Sequence, residues 1–146
     1  MKKIIFLIIL ILTGCGFVFA ELSPEYMLNR INNSEIKTAA KIKSVKTIQS
    51  KKGYKIQLVK FEGLYENEGK IFEAKCHNYT EEPPVASSIG EPRRYIPQKN
   101  SKVFVTIDKN GGEITSMVNM DESFEKRLQK SPKKIRYDCN GAYFEE

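Results

Sequence analysis

The chain has 146 residues, of which 40% are hydrophobic and 29% charged, and its formal net charge at pH 7 is +6. This length suits one domain, and the composition is that of a globular protein rather than a disordered one. The chain has one His and three Cys, no C-x-x-C pair, and no P-loop, G-x-S-x-G or H-E-x-x-H motif. We therefore predict a non-enzymatic protein without a metal or cofactor.

The first 20 residues have the order of a bacterial secretory signal. A pair of lysines at positions 2 and 3 precedes an unbroken apolar run from Ile4 to Leu12, and small residues follow. The apolar stretch is shorter and more interrupted than the ~20 residues of a membrane span. We predict that the signal at 1–20 is removed and that 21–146 form one exported domain, which is periplasmic or secreted.

Two processing sites compete in this segment. Val18 and Ala20 are the small residues that signal peptidase requires, which favours cleavage after Ala20. The four residues that end at Cys15, Leu-Thr-Gly-Cys, resemble a bacterial lipobox, in which the Cys15 thiol is lipidated. Apolar residues follow Cys15 where a lipoprotein has a polar tether, so we favour the first site. A membrane tether is expected only if Cys15 is lipidated.

Under either processing, Cys76 and Cys139 are the two thiols left in the domain. Export places them in an oxidising compartment, so we predict a Cys76–Cys139 disulfide. It would close a loop of about 60 residues and contribute on the order of 4 kcal/mol in the chain-entropy model. The alternative is a metal site that includes His77 and Asp138. Adjacent strand residues point to opposite faces, so Cys76 and His77 are poorly placed to share one ion.

Helix and strand signals along the domain predict an α+β fold that is mainly antiparallel β. A Ser-Pro-Glu sequence at 23–25 begins a short N-terminal helix, and Asp121 or Asn119 caps a second helix over 122–130. Alternating apolar residues separated by turn signals indicate about five or six strands, with a bulge near Ser44. We expect a small curled sheet or barrel, OB-like or SH3-like.

The segment 79–101 has no regular pattern and contains four of the six prolines of the chain. A loop of this length in a compact domain is more often functional or disordered than a simple connection. Arg93, Arg94 and Tyr95 lie in this proline-rich loop. We take them as a candidate contact site, although solvated loop arginines explain the same pattern.

Eight lysines and no acidic residue lie in the segment from Lys37 to Lys60. On a hairpin, these lysines are expected to share one outer face and the tip, forming a basic patch for an anionic glycan, a lipid headgroup or an acidic protein. Lysines also protect sheet edges from aggregation, and that alternative stays open. Export disfavours a nucleic acid partner. The candidate binding lysines are Lys41, Lys43, Lys46, Lys51, Lys52 and Lys55.

These features favour an exported envelope protein that binds a partner or ligand through the basic hairpin or the proline-rich loop. The alternative is a small periplasmic inhibitor or accessory factor of an envelope enzyme, with the 79–101 loop inserted into the partner. The two hypotheses differ in their expected response to salt. Binding through lysines weakens steeply as salt rises, whereas loop insertion depends on Arg93 and Arg94 with little salt dependence.

Overall fold

The computed structural model describes residues 23–79 and 95–146. The predicted signal at 1–20, with Cys15, and the loop residues Arg93 and Arg94 lie outside these ranges. Within the described ranges, no helix is both long enough and apolar enough to cross a membrane.

Two helices and seven strands form the described part of the chain. Helix α1 spans Pro24–Asn32, and helix α2 spans Glu122–Lys130. Short 3-10 turns occupy Tyr65–Asn67 and Pro132–Lys134. The class is α+β and mainly antiparallel, as predicted. The strands are β1 (Ile36–Lys51), β2 (Tyr54–Gly63), β3 (Ile71–Tyr79), β4 (Lys102–Ile107), β5 (Ile114–Asn119), β6 (Ile135–Asp138) and β7 (Gly141–Phe144).

Both helices begin at side-chain caps that the sequence indicates. The Ser23 hydroxyl accepts a hydrogen bond from the Tyr26 N–H at 3.1 Å. The Asp121 carboxylate, one of the two predicted caps, accepts one from the Phe124 N–H at 2.7 Å. Each cap satisfies an N–H group that has no partner inside the helix. At 9 residues each, both helices are marginal alone, so packing must hold them in place.

Strand β1 is the centre of a five-stranded antiparallel sheet with the order β3-β2-β1-β4-β5. It pairs with β2 from Ala40 to Lys51 and with β4 from Ile36 to Lys41. Register shifts at Ile42/Ser44 and Thr47/Gln49 interrupt the β1–β2 ladder, and the first is the bulge predicted near Ser44. The far part of the β1–β2 hairpin therefore extends beyond the end of β4.

The sheet is packed on both faces. On one face, all five strands contribute to a first core cluster, in which Val59 and Phe61 are fully buried. The rings of Phe61 and Phe72 stack with their centroids 5.4 Å apart. On the opposite face, α2 and the β6–β7 hairpin form a second cluster with Ala39 and Phe104. The two faces of β1 and β4 are thus buried against different partners.

The sheet curls until β3 meets the turn between β4 and β5. The Gly111 N–H donates to the Glu73 carbonyl at 2.8 Å, and the Lys75 N–H donates to the Gly112 carbonyl at 2.7 Å. The Glu73 N–H donates to the Asn110 side chain at 3.0 Å. These bonds satisfy part of the β3 edge. The curled sheet is confirmed, and the strand pairing of the described residues does not close it into a barrel.

Candidate functional site

The predicted hairpin lysines divide between the two faces of the sheet. Lys46 and Lys51 pair with Leu58 and Tyr54, which places them on the face opposite the first core cluster, and Lys41 shares that face. Lys52 is exposed in the turn that follows β1. The expectation of one outer face and a tip therefore holds for these lysines.

Two of the candidate lysines lie elsewhere. Lys55 pairs with Ser50 across the hairpin, and the alternation of the strand turns it toward the face of the first core cluster. Lys43 is the extra residue of the first bulge, and its Nζ lies 2.9 Å from Glu62 Oε2. The bulges change the phase of the side chains along β1, so a lysine block in the sequence does not form one continuous face.

Acidic partners distinguish Lys43 and Lys60, near the body, from the lysines nearer the tip; Lys41, also near the body, has no ion pair among the described residues. Near the body, Lys43 pairs with Glu62, and Lys60 Nζ lies 3.6 Å from Glu73 Oε1. Toward the tip, the part of the chain that the structure describes contains no ion pair to four lysines, which we call the tip lysines. They are Lys46, Lys51, Lys52 and Lys55.

An exposed isoleucine lies among the tip lysines. Ile48 is the extra residue of the second register shift, and 46% of its surface is exposed. Single exposed apolar residues are common on protein surfaces. An apolar side chain between cations is also the arrangement that suits an anionic membrane, where the ammonium groups meet the headgroups and the apolar group enters the interface.

Tyr95 is the one residue of the predicted loop site that lies in the described ranges. It packs against the first core cluster, and its hydroxyl donates to the Thr115 carbonyl at 3.4 Å. Its own carbonyl accepts from the Cys76 thiol at 3.3 Å. These contacts anchor Tyr95 to the core, and its role as a contact residue stays a prediction.

Cys76 and Cys139 are both free thiols in the structure. Cys76 lies in the first core cluster with 1% of its surface exposed, and burial raises the pKa of its thiol to about 11, against an opposing effect of Lys55. Its thiol is therefore protonated and weakly reactive at neutral pH. Cys139 follows β6, in the hairpin that covers the other face of the sheet. Their disulfide stays a prediction, and it would have to join these two layers.

His77 lies in a chain of polar side chains that connects α1, β2, β3 and the start of β5. The Tyr54 hydroxyl is 2.5 Å from His77 Nδ1, and Glu113 Oε1 is 3.0 Å from His77 Nε2. The other oxygen of Glu113 accepts from Arg30 at 3.2 Å. The partners of His77 are distant from it in sequence, and only the folded sheet brings them together.

The His77 chain has the parts of a nucleophile relay, namely a hydroxyl, an imidazole and a carboxylate. A relay also needs the carboxylate to accept a hydrogen bond from the imidazole, so that the ring is oriented. Here His77 Nε2 is buried and makes no hydrogen bond, although Glu113 lies close to it. We interpret the chain as a structural clamp across the curled sheet.

Comparison of the chain with protein-family models, with curated proteins and with solved structures gave no match. In the two described ranges, no group of three or more His, Cys, Asp or Glu side chains is placed to hold a metal ion. The hairpin tip combines unpaired charge with exposure.

Proposed function

We propose that the protein is an exported, non-enzymatic binding module that attaches to anionic membrane surfaces through the tip of its β1–β2 hairpin. The observation that supports this proposal is the contrast in charge pairing. Lys43 and Lys60 have carboxylate partners, whereas the tip lysines have none among the described residues. Unpaired cations on an extended arm can reach a surface without first breaking an ion pair.

The proposed energy of attachment comes from charge, with a smaller apolar contribution. A lysine close to an anionic leaflet contributes about 1 kcal/mol of attraction, which decreases within a Debye length. Complete burial of an isoleucine side chain contributes roughly 1.5–3 kcal/mol. Only 46% of the Ile48 surface is exposed in the free protein, so its burial in a membrane would contribute less than this. We therefore expect weak, reversible binding that falls steeply as salt rises.

The test is sedimentation of the purified protein with phosphatidylcholine vesicles that contain or lack phosphatidylglycerol. Replacement of Lys46, Lys51 and Lys52 by Gln is expected to weaken binding to the anionic vesicles by at least about tenfold. The matched control replaces Lys126, Lys130 and Lys133 by Gln, which removes the same charge far along the chain. We expect this control to bind as the wild type does.

Equal losses in the two triple variants would contradict the proposal, because net charge rather than the hairpin tip would then drive binding. Salt-sensitive capture of an acidic protein, without binding to the anionic vesicles, would assign the tip to a protein partner instead. The inhibitor hypothesis depends on Arg93 and Arg94, outside the described residues. Replacement of both by Ala tests it, since a loop inhibitor would then lose its partner.

A further inference from the structure

A cleft of about 340 Å³ opens between the sheet and the layer formed by α2 and β6. Ala39 and Phe104, on the outer face of the sheet, line it together with Leu128 of α2, and all three are buried. The partly buried side chains of Leu64 and Ile135 extend the apolar lining. The size lies near the lower end of the range for small-molecule sites, and the larger part of the lining surface is apolar, as in most such sites.

Two polar groups face each other beside this apolar lining. Lys37 Nζ lies 5.1 Å from the centroid of the Tyr137 ring and donates one hydrogen bond to the Asn32 carbonyl at 2.8 Å. An ammonium group has three donors, so others remain for a ligand. Burial raises the pKa of Tyr137, and its hydroxyl makes no hydrogen bond within the described residues. Both groups are hydrogen-bond donors on the lining of the cleft.

The wall at Tyr65 is fixed before any ligand arrives. Tyr65 has a φ of 53°, a left-handed conformation that costs a bulky residue roughly 1–2 kcal/mol. Its hydroxyl donates to Glu125, which also accepts from Lys102 at 2.8 Å. The neighbouring Leu64 N–H donates to the Ala39 carbonyl at 3.0 Å. A strained residue that its surroundings hold in place is typical of a preorganised site.

We propose that this cleft binds a small amphiphilic molecule with an apolar body and one carboxylate head. The apolar body lies against Phe104 and Leu128, and the carboxylate accepts hydrogen bonds from Lys37 and the Tyr137 hydroxyl. Lys37 is the one cation of the lining and Glu66 is its one carboxylate; both side chains are exposed, and no ion pair joins them. The charge of Lys37 therefore favours an anionic head. The site is independent of the hairpin tip.

The test is calorimetric titration of the purified protein with 4-phenylbutyrate and with its neutral amide. The carboxylate is expected to bind about tenfold more tightly than the amide, since hydrogen bonds to a charged group are the stronger ones. Lys37→Met is expected to remove this preference, so that the variant binds the two compounds with similar affinity. The control Lys46→Met makes the same charge change at the hairpin tip, and we expect it to preserve the preference.

Leu64→Trp places a larger side chain in the cleft and is expected to abolish binding of both compounds. If that variant does not fold, Tyr137→Phe takes its place, and it is expected to reduce the preference for the carboxylate several-fold. Equal affinity of the wild type for the two compounds would overturn the proposal. So would a loss of preference in Lys46→Met, or the absence of saturable binding.

Discussion

The two halves of β1 belong to one strand but lie in different surroundings. The near half, Ile36–Ile42, pairs with β4 up to Lys41 and with β2 from Ala40 onward, and Ala40 and Ile42 in it are fully buried. The far half, 43–51, pairs with β2 alone among the described residues, and all of its side chains from position 46 onward are exposed. Strand pairing and core formation are therefore separable. A hairpin can satisfy its own backbone and leave its side chains available to partners.

The largest effect that would test this contrast is expected at Phe61. This side chain is fully buried beside the near half, and its replacement by Ala is expected to cost about 3–5 kcal/mol of unfolding free energy. Leu58→Ala, on the half-buried part of the same strand opposite Lys46, is expected to cost less than about 1.5 kcal/mol. Urea unfolding measures both. Equal losses would show that the far half carries as much packing as the near half.

The next largest loss of unfolding free energy is expected in a buried network of hydroxyl groups beside the near half. Thr106 Oγ1 lies 2.7 Å from Thr115 Oγ1 and 2.6 Å from Ser116 Oγ, and Thr106 is fully buried. Thr106→Val removes the Thr106 hydroxyl, so the Thr115 and Ser116 hydroxyls each lose a hydrogen-bond partner. We expect the unfolding free energy to fall by about 1–3 kcal/mol. The same change in the far half, Thr47→Val, is expected to stay within about 0.5 kcal/mol. A comparable loss at both sites in urea unfolding would be inconsistent with the contrast.

A pH-dependent effect is expected at Glu125. Hydrogen bonds from Lys102 and then Tyr65 hold the pKa of this carboxyl below its usual range. Because the folded pKa is the lower one, the stabilisation is present above the unfolded pKa and is lost as pH falls through the folded pKa. Glu125→Gln is expected to cost about 1 kcal/mol at neutral pH, since the group is partly exposed. Urea unfolding of the wild type and of Glu125→Gln at several pH values should show that the difference between their unfolding free energies disappears in acid. A difference that persists in acid would indicate packing rather than charge.

The smallest change in stability is expected at the tip. Ile48→Ser is expected to alter the unfolding free energy by no more than about 0.5 kcal/mol, because the side chain is largely exposed already. Hydrogen exchange sharpens the comparison, since amides of 43–51 that point away from β2 should exchange faster than those of the near half. Protection throughout the far half would mean that another part of the chain covers it.

Short-range signals predicted the elements well. The caps at Ser23 and Asp121 and the bulge near Ser44 each depend on a few neighbouring residues, and the structure confirms all three. The α+β class and the curled sheet are also confirmed. The main sheet has five strands, within the predicted number, and the described residues add two more in a separate hairpin, because the segment after Asp138 returns as β7 to pair with β6. Gly141 allows this return, since its φ is 119°.

Long-range features of the candidate sites had no signal in the sequence. The distribution of the hairpin lysines depends on two bulges, and the second, at Ile48, has no marker such as Gly. The partners of His77 come from β2 and the turn before β5, so they depend on how the sheet curls. The cleft exists because α2 packs on the sheet at one position, which residues such as Phe104 permit but do not specify.

The position of β1 also constrains the order in which the chain can fold. Its pairing with β2 closes a short turn, and hairpins of this kind form in about 1–10 μs. Its pairing with β4 brings Ile36 next to Ile107, and β2, β3 and the proline-rich segment lie between these two residues in the chain. The whole intervening chain must close into a loop before these contacts form, so this pairing is slower. Until β4 arrives, the near half presents an open strand edge at Thr38, Ala39 and Ala40. That transient edge is where two unfinished copies of the chain would associate.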